Sequence, residues 1–410
     1  MKVVLINHSD TRGGASVVTL RLTEALRRAG VEATMLVGRK ESDSPFVAEG
    51  SAWRRNLSFA AEHADIVLHN RLSRENLFKI STGRFGMGLA SHPLVREADV
   101  VVAAWINQGT LSLDELRRIA AVKPVVCVMH DRWYQTGVCH HVADGCTRLA
   151  GGCGLCPMLR THSADDLSRK VFAAKSRCYA SSPDISFVAI SRWLAEAGEG
   201  GLTAGRTHVI ANAFPVDEYP CTPTLSRREL GLPEGELVVM GAARLDDPIK
   251  DLPLAVKTIN ALRREATAVF FGDLRDRHAL DALVKPYVWL GPIADSRRVA
   301  AIMSHAAVVL SSSRFETLPT TLIEGMSAGA VPVCTRHGGQ SDIIDEGVDG
   351  FISPDDEAAT LAMLTDRALS CGFDRKAQHE AARRRFAADI IARRYIALFE
   401  TLITNHSSRK

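Results

Sequence analysis

Val308-Val-Leu-Ser311-Ser-Ser-Arg-Phe-Glu316-Thr-Leu-Pro-Thr320-Thr-Leu-Ile-Glu324-Gly-Met-Ser-Ala-Gly-Ala-Val331-Pro-Val-Cys334 is the stretch on which the fold turns. A short apolar run, 308–311, enters a polar turn. A helical pattern follows over 321–328, and a second apolar run covers 331–334. Strand, helix, strand in this order makes two parallel strands joined by a crossover helix. The same alternation extends outward on both sides. Strands are expected at 237–241, 268–272 and 287–290, with helices at 251–264 and 296–304. Further upstream, strands are expected at 3–7, 33–37, 65–68, 100–104, 125–129 and 187–190, with an amphipathic helix over 17–29. The class is therefore α/β, built on parallel sheets.

The alternation stops once, at 212–224, where Pro215, Pro220 and Pro223 leave little room for a helix. This divides the chain into a first domain at 1–211, an interdomain linker at 212–224 and a second domain at 225–374. A last helix spans 375–404, with Phe386, Ile390, Ile391, Tyr395, Leu398 and Phe399 on one face, and is expected to cross back to the first domain. The tail from Asn405 is polar and expected to fray. The length of 410 residues agrees with two or three domains. Two doubly wound domains facing a cleft would bind ligands at the carboxyl ends of their strands.

Composition removes several classes. With 46% hydrophobic and 24% charged residues the chain is an ordinary globular protein. Its net charge of +3 is too small for a dedicated nucleic-acid binder. No apolar run approaches the ~20 residues of a membrane span. The apolar start at 3–6 is too short for a secretory signal and reads as a strand. A cytoplasmic location follows, and there the nine cysteines would not form structural disulfides.

Five loops carry chemistry. After the first strand, Gly13-Gly14 opens a helix, letting a backbone approach a ligand and offering free N–H groups to an anion. The plain alternative is a tight strand–helix turn; neither the dinucleotide fingerprint nor the P-loop pattern is present. After the strand at 237–241 come Arg244 and Lys250, suited to a leaving diphosphate. Arg244 could equally pair with Asp246 and Asp247. After the strand at 308–311 come Glu316 and, in the first turn of the next helix, Glu324. Both can accept hydrogen bonds from sugar hydroxyls, with backbone N–H groups of Leu318, Thr320 and Thr321 beside them. Otherwise Glu324 is a dipole-favoured acid and Glu316 a solvated loop charge. After the strand at 125–129 stand His130 and Asp131, and after 100–104 stand Trp105 and Asn107.

The segment around Glu316 and Glu324 resembles the Glu-x7-Glu signature of retaining glycosyltransferases of group 1 (family 4-like), the GT-B architecture. The likeness continues through Gly329-Ala-Val-Pro-Val-Cys, His337-Gly338-Gly339 and Asp345-Glu-Gly-Val-Asp-Gly350. It implies that Glu316 sits near the donor sugar and Glu324 binds the nucleotide ribose. It gives Arg244 and Lys250 the diphosphate clamp, and His130 an active-site role. Three departures stand out. Gln340-Ser341 precede Asp342 where the family has Glu; Asp251 replaces a Gly after Lys250; and the Arg244–Lys250 interval is one residue longer than usual.

Cys139, Cys146, Cys153 and Cys156 fall within an insertion at about 136–160, beside His140 and His141. Four such donors suit a closed, structural Zn²⁺ site, with His140 or His141 as a substitute donor. A redox pair, an iron–sulfur cluster and plain thiols are the other readings. The block resembles an insertion found in some cell-surface-polysaccharide glycosyltransferases.

The expected function is a retaining glycosyltransferase (EC 2.4) that moves a sugar from a nucleotide-diphosphate sugar to an acceptor hydroxyl in polysaccharide or glycoconjugate assembly. The acceptor is a saccharide, a lipid-linked or a small molecule, and no catalytic metal is required. The alternatives are a nucleotide-sugar epimerase of the same architecture and a zinc-organised binding protein. A nicotinamide oxidoreductase lacks its glycine fingerprint. The stretch 71–89 mixes Arg71, Arg74, Lys79 and Arg84 with Leu72, Leu77, Phe78, Ile80 and Phe85. It reads as a helix with solvated basic positions, or as a peripheral contact at the inner membrane face.

Overall fold

The computed structural model describes residues 1–409. The chain forms two compact units: Met1–Ala213 together with the segment from Ile391, and Phe214–Ile390.

The first unit holds a seven-stranded parallel sheet. Its strands are β1 (Lys2–Ser9), β2 (Glu32–Arg39), β3 (Val47–Glu49), β4 (Val100–Ala103), β5 (Val125–Met129), β6 (Ile185–Ala189) and β7 (Thr207–Val209). Their order is β3-β2-β1-β4-β5-β6-β7, so it reverses between β1 and β4. β4, β5 and β6 are buried along their whole lengths, as strands covered by helices on both faces must be.

The second unit repeats the plan with six parallel strands. They are β8 (Leu237–Arg244), β9 (Thr267–Asp273), β10 (Tyr287–Trp289), β11 (Val308–Ser311), β12 (Val331–Thr335) and β13 (Phe351–Ser353). The order β10-β9-β8-β11-β12-β13 reverses between β8 and β11. Val238, Phe270, Leu310, Val333 and Phe351 give one apolar core with Ala255, Ile259 and Leu361 of the covering helices.

Four expectations need correction. Residues 65–68 are the end of a helix, Ala52–His69, and not a strand. Ile66 alone of that run is fully inside, as one position per turn should be. No helix forms between His69 and Leu89; Arg71, Leu72 and Asn76 adopt left-handed conformations there. The last helix is two, Arg375–Phe386 and Ala388–Arg409. Ala387 is extended at the break, and the Phe386 carbonyl accepts instead from the Phe214 N–H. The tail does not fray: His406 is buried and bridges Asp184 and the Val122 carbonyl, and Arg409 pairs with Asp184 at 2.8 Å.

The cysteine-rich insertion has one 3-10 turn, Arg148–Gly151, and a satellite core of Val138, Cys156, Leu159, Leu167 and Val171. Its entry is tied down by the buried Lys175 ammonium, which donates to the carbonyls of Trp133, Thr136 and Gly137. Burial lowers this amine to about 7.

Candidate functional site

Every residue singled out for donor chemistry in the second unit ends β8 or follows β8 or β11, the two strands flanking the reversal. That is where open α/β sheets hold ligands. Arg244 is the last residue of β8, just past a slip in its pairing with β9. Its guanidinium donates to Asp247 at 2.8 Å and lies 3.5 Å from Asp246. Asp246 in turn accepts the N–H groups of Asp276 and Arg275, which hold its pKa below the ordinary value. Arg244 thus makes the acidic pair that was its plain alternative.

Lys250 reaches across to β11's loop and forms an ion pair with Glu316. The Ser312 hydroxyl binds the carbonyls of Lys250 and Asp251 at 2.8 and 3.1 Å, joining the two loops. Asp251, where the resembled family has Gly, has φ 47°. The family preference for Gly is explained by this left-handed backbone, which Asp tolerates better than most residues. Here the Asp side chain also caps the helix Leu252–Asn260 through Leu254 N–H and accepts from Arg314 at 2.7 Å.

Glu316 is held from behind as well. The Gly339 N–H donates to its carbonyl at 2.7 Å. A Cβ on Gly338, which has φ +73°, would lie 2.1 Å from the same oxygen. The Gly338-Gly339 pair is therefore a seat for the Glu316 loop. Gln340, next in sequence, is fully buried; it accepts from Ser311 at 2.9 Å and donates to the Ser313 carbonyl at 3.0 Å. A carboxylate there has no hydrogen to give Ser313, which is why an amide fits.

The helix Thr320–Ser327 begins after Pro319 with no side-chain cap. Its first turn carries no acid. Glu324 is its fifth residue, so the expectation of a first-turn Glu324 is corrected by one turn's offset; the side chain is half-buried. Leu318 is buried, while Thr320 and Thr321 are half-buried at the helix start.

The first unit gathers its candidates around its own reversal, β1 against β4, and the neighbouring β5. Asn7 at the end of β1 donates to Ser16 Oγ and accepts from the Trp105 N–H at 2.8 Å. Gly13 is the N-cap of the helix Gly14–Arg28, with φ 85°, and the space where a Cβ would stand on Gly13 or Gly14 is open to 4 Å. Asp131 accepts from Trp105 Nε1 (3.1 Å), His140 Nδ1 (2.7 Å) and Trp133 N–H (2.7 Å). Burial works to raise its pKa, but the His140 imidazole and these hydrogen bonds prevail and hold it at about 2. The Trp105 and His140 rings stack with centroids 5.4 Å apart, and His8 meets Trp105 edge-on.

His130 is half-buried. It lines a cavity of about 10 Å³ with Thr19, Asn212 and Tyr395, and burial lowers its pKa to about 4. It is neutral at pH 7, and its Nε2 has no partner. Asn107 is buried with its Nδ2 equally unpartnered. His140, His8 and Asn7 were not foreseen as parts of this cluster; His8 and Asn7 stand at an expected strand end, whereas His140 lies in the insertion with no such signal.

Cys139, Cys146, Cys153 and Cys156 line one cavity of about 20 Å³. All are free thiols, and burial pushes Cys153 to about 11 and Cys156 to about 12. Among the described residues, no three His, Cys, Asp or Glu side chains are arranged to hold a metal ion.

Comparison with known proteins now bears on these geometries. Residues 236–370 match the family model described as glycosyl transferases group 1. The second unit is a group 1 glycosyl transferase domain. The matched span covers β8 to the helix Ala358–Ser370, and so contains Arg244, Lys250, Glu316 and Glu324. Along almost the whole chain, the sequence is 22% identical to a protein of Escherichia coli K12 named as a colanic acid biosynthesis glycosyl transferase, WcaC, covering 89% of this chain and 90% of that one. Among solved structures, Anabaena HepE in complex with UDP and glucose is similar with a TM-score of 0.62 at 16% identity, covering 98% and 99% of the two chains. The lipopolysaccharide outer core galactosyltransferase WaaB gives 0.63 at 15% identity, covering 98% and 100%. These likenesses show the fold of the chain, which is GT-B, as expected.

Proposed function

We propose that the chain transfers a sugar from a nucleoside-diphosphate sugar to an acceptor hydroxyl, with retention of anomeric configuration, during assembly of a surface polysaccharide or glycoconjugate. The single observation that carries this reading is the Lys250–Glu316 ion pair seated on Gly338-Gly339 inside the matched domain. It keeps a cation and a hydroxyl acceptor together beside an uncapped helix N-terminus, at the strand ends where ligands bind.

In this reading Lys250 and Arg244 exchange their carboxylate partners for the donor diphosphate. The charge that grows on the leaving group is then met by two cations and by the N–H groups of Leu318, Thr320 and Thr321. Glu316 accepts from donor-sugar hydroxyls and Glu324 from the ribose. On the acceptor side, neutral His130 and Asn107 offer unpartnered polar atoms, and Asp131 fixes Trp105. The acceptor oxygen attacks the anomeric carbon as its bond to the diphosphate breaks, and a donor phosphate oxygen takes the proton. The name of WcaC and the UDP bound to HepE support a nucleotide-sugar donor and a polysaccharide setting.

A structural zinc on Cys139, Cys146, Cys153 and Cys156 belongs to the same proposal. The four thiols lining one cavity support it, and binding would have to draw them together, since no three of the described side chains are arranged to hold an ion. Four thiolates would fill a tetrahedral ion, so it would take no part in transfer. Elemental analysis expects one zinc per chain, lost in Cys153→Ser; a metal-free, folded chain contradicts it.

The function is tested with a panel of UDP-, GDP-, ADP- and TDP-sugars, following melting temperature and nucleotide release. One donor should raise the melting temperature and slowly yield its diphosphate. Failure of all four contradicts the reading.

A further inference from the structure

The helix Ala52–His69 is turned the wrong way round for a core helix. Its inward positions are Ser58, Glu62 and Ile66, and two of the three are polar. Glu62 is buried there only because Ser81, Thr82 and Gly83 donate to one carboxylate oxygen. Its outward positions are Trp53, Leu57, Ala60, Ala64 and Leu68, all exposed. Their spacing of three and four residues puts them on one stripe. At 1.5 Å per residue the stripe from Trp53 to Leu68 runs over about 23 Å of the helix.

The stripe continues past the helix end. Leu72 follows the turn made by its N–H to the Val67 carbonyl. Phe78 lies against the helix through His63, with ring centroids 5.2 Å apart. Trp53, Leu57, Leu68, Leu72 and Phe78 are 63–72% exposed, and no other large apolar side chain of this unit among the described residues exceeds 56%. Arg71 and Leu72 are both held in left-handed backbone, at φ 53° and 61°, which costs energy for non-glycine residues. That strain projects one cation and one leucine into solvent.

The charge around the stripe has one sign. Arg54 stacks over Trp53 at 5.4 Å. Arg71, Arg74 and Lys79 are exposed and make no ion pair among the described residues. The nearby acids are already neutralised, Asp65 by Arg84 and Glu75 by Arg160. Two copies of this face brought together would oppose like charges. An anionic lipid surface satisfies both parts, taking the apolar stripe among its acyl chains and the four cations at its headgroups. No helix among the described residues is long and apolar enough to cross a membrane, so the contact lies along the surface.

We infer that the helix Ala52–His69, with Leu72 and Phe78, docks the first unit on an anionic bilayer, by a surface on the helix rather than by a basic helix at 71–89. The inference goes beyond the proposed transfer reaction and does not depend on it.

The test is flotation of the full chain with vesicles of phosphatidylcholine alone or with 30% phosphatidylglycerol. The chain should float with the anionic vesicles and not with the neutral ones. Leu57→Asp/Leu68→Asp and, separately, Arg71→Glu/Lys79→Glu should each cut the bound fraction at least tenfold. Both should leave the circular dichroism melt nearly unchanged, because all four side chains are mostly exposed. Absence of flotation, or variants that float like the parent, overturns the inference. So does a dimer in solution that Leu57→Asp dissociates, since the stripe would then belong to a second copy. Donor binding is read separately, so a chain that floats but ignores every nucleotide-sugar would overturn the proposed function and leave this surface standing.

Discussion

The loops at the two sheet reversals are built from opposite materials. In the second unit the candidates are charged, half-exposed and paired with one another: Lys250 with Glu316, Arg244 with Asp247. In the first unit Asn7, Asn107 and His140 are buried and His8, Trp105, His130 and Asp131 half-buried, and apart from the Asp131 carboxylate the groups with a resolved shift are uncharged at pH 7: His130 and His8 are both lowered to about 4, chiefly by desolvation. A polyanion needs cations that can let go of their present partners. A hydroxyl needs neutral groups already fixed in place. The proposed function would put the donor diphosphate on the charged unit and the acceptor alcohol on the neutral one.

Substitution at Lys250 is expected to break this contrast most severely. Lys250→Ala should lower turnover by about 10²–10³-fold, the scale of a lost transition-state cation. Its melting temperature should move little, because a half-exposed pair is worth only ~0–1 kcal/mol. Steady-state kinetics beside a thermal melt checks both halves. A variant that melts early and keeps its rate would reverse the assignment.

Acid should expose the neutral unit next. His130 has a folded pKa of about 4, below its ordinary 6.5. The unfolded chain therefore binds the extra proton first, and stability falls as pH drops from 6.5 toward 4. For this one buried imidazole the loss is on the order of 3 kcal/mol across that window. His130→Asn should flatten the dependence of unfolding free energy on pH between those limits. An unchanged slope would show that His130 does not titrate as its burial dictates.

A smaller effect sharpens the role of the glycine seat. Gly338→Ala places a methyl 2.1 Å from the Glu316 carbonyl in left-handed backbone, and should cost about 1–3 kcal/mol. Gly14→Ala meets open space and should change stability by less than about 0.5 kcal/mol. Denaturant midpoints of the two variants settle the difference. Smallest of all, Asp251→Gly relieves the φ of 47° but loses the cap on Leu254 N–H, so the two terms nearly offset, within about 1 kcal/mol.

Much of this was legible in the sequence. Val308–Ser311 and Val331–Thr335 are apolar runs with no other plausible use, and the site loops follow directly from them. The three-residue strands Val47–Glu49, Thr207–Val209 and Phe351–Ser353 were not read, whereas Tyr287–Trp289, equally short, was. The run 65–68 misled because a short apolar run fits helix or strand equally. Nothing announces the break at Ala387, since neither Gly nor Pro stands near it and the cause is a bond from Phe214, far along the chain. The Trp105–Asp131–His140 cluster was only half readable. Trp105 and Asp131 follow strand ends that only the pairing of β4 with β5 brings together, and His140 reaches Asp131 from the insertion eleven residues past β5. The apolar stripe on Ala52–His69 was missed outright, because an apolar pattern does not say which of its faces meets the sheet.

The most direct test of the central claim is calorimetric binding of UDP, GDP and ADP to the full chain and to Lys250→Ala and His130→Ala. One nucleotide should bind the parent, lose at least tenfold in affinity with Lys250→Ala and stay within twofold with His130→Ala. Loss of affinity at His130 with none at Lys250, or no binding of any of the three, would contradict the division of labour between the two units.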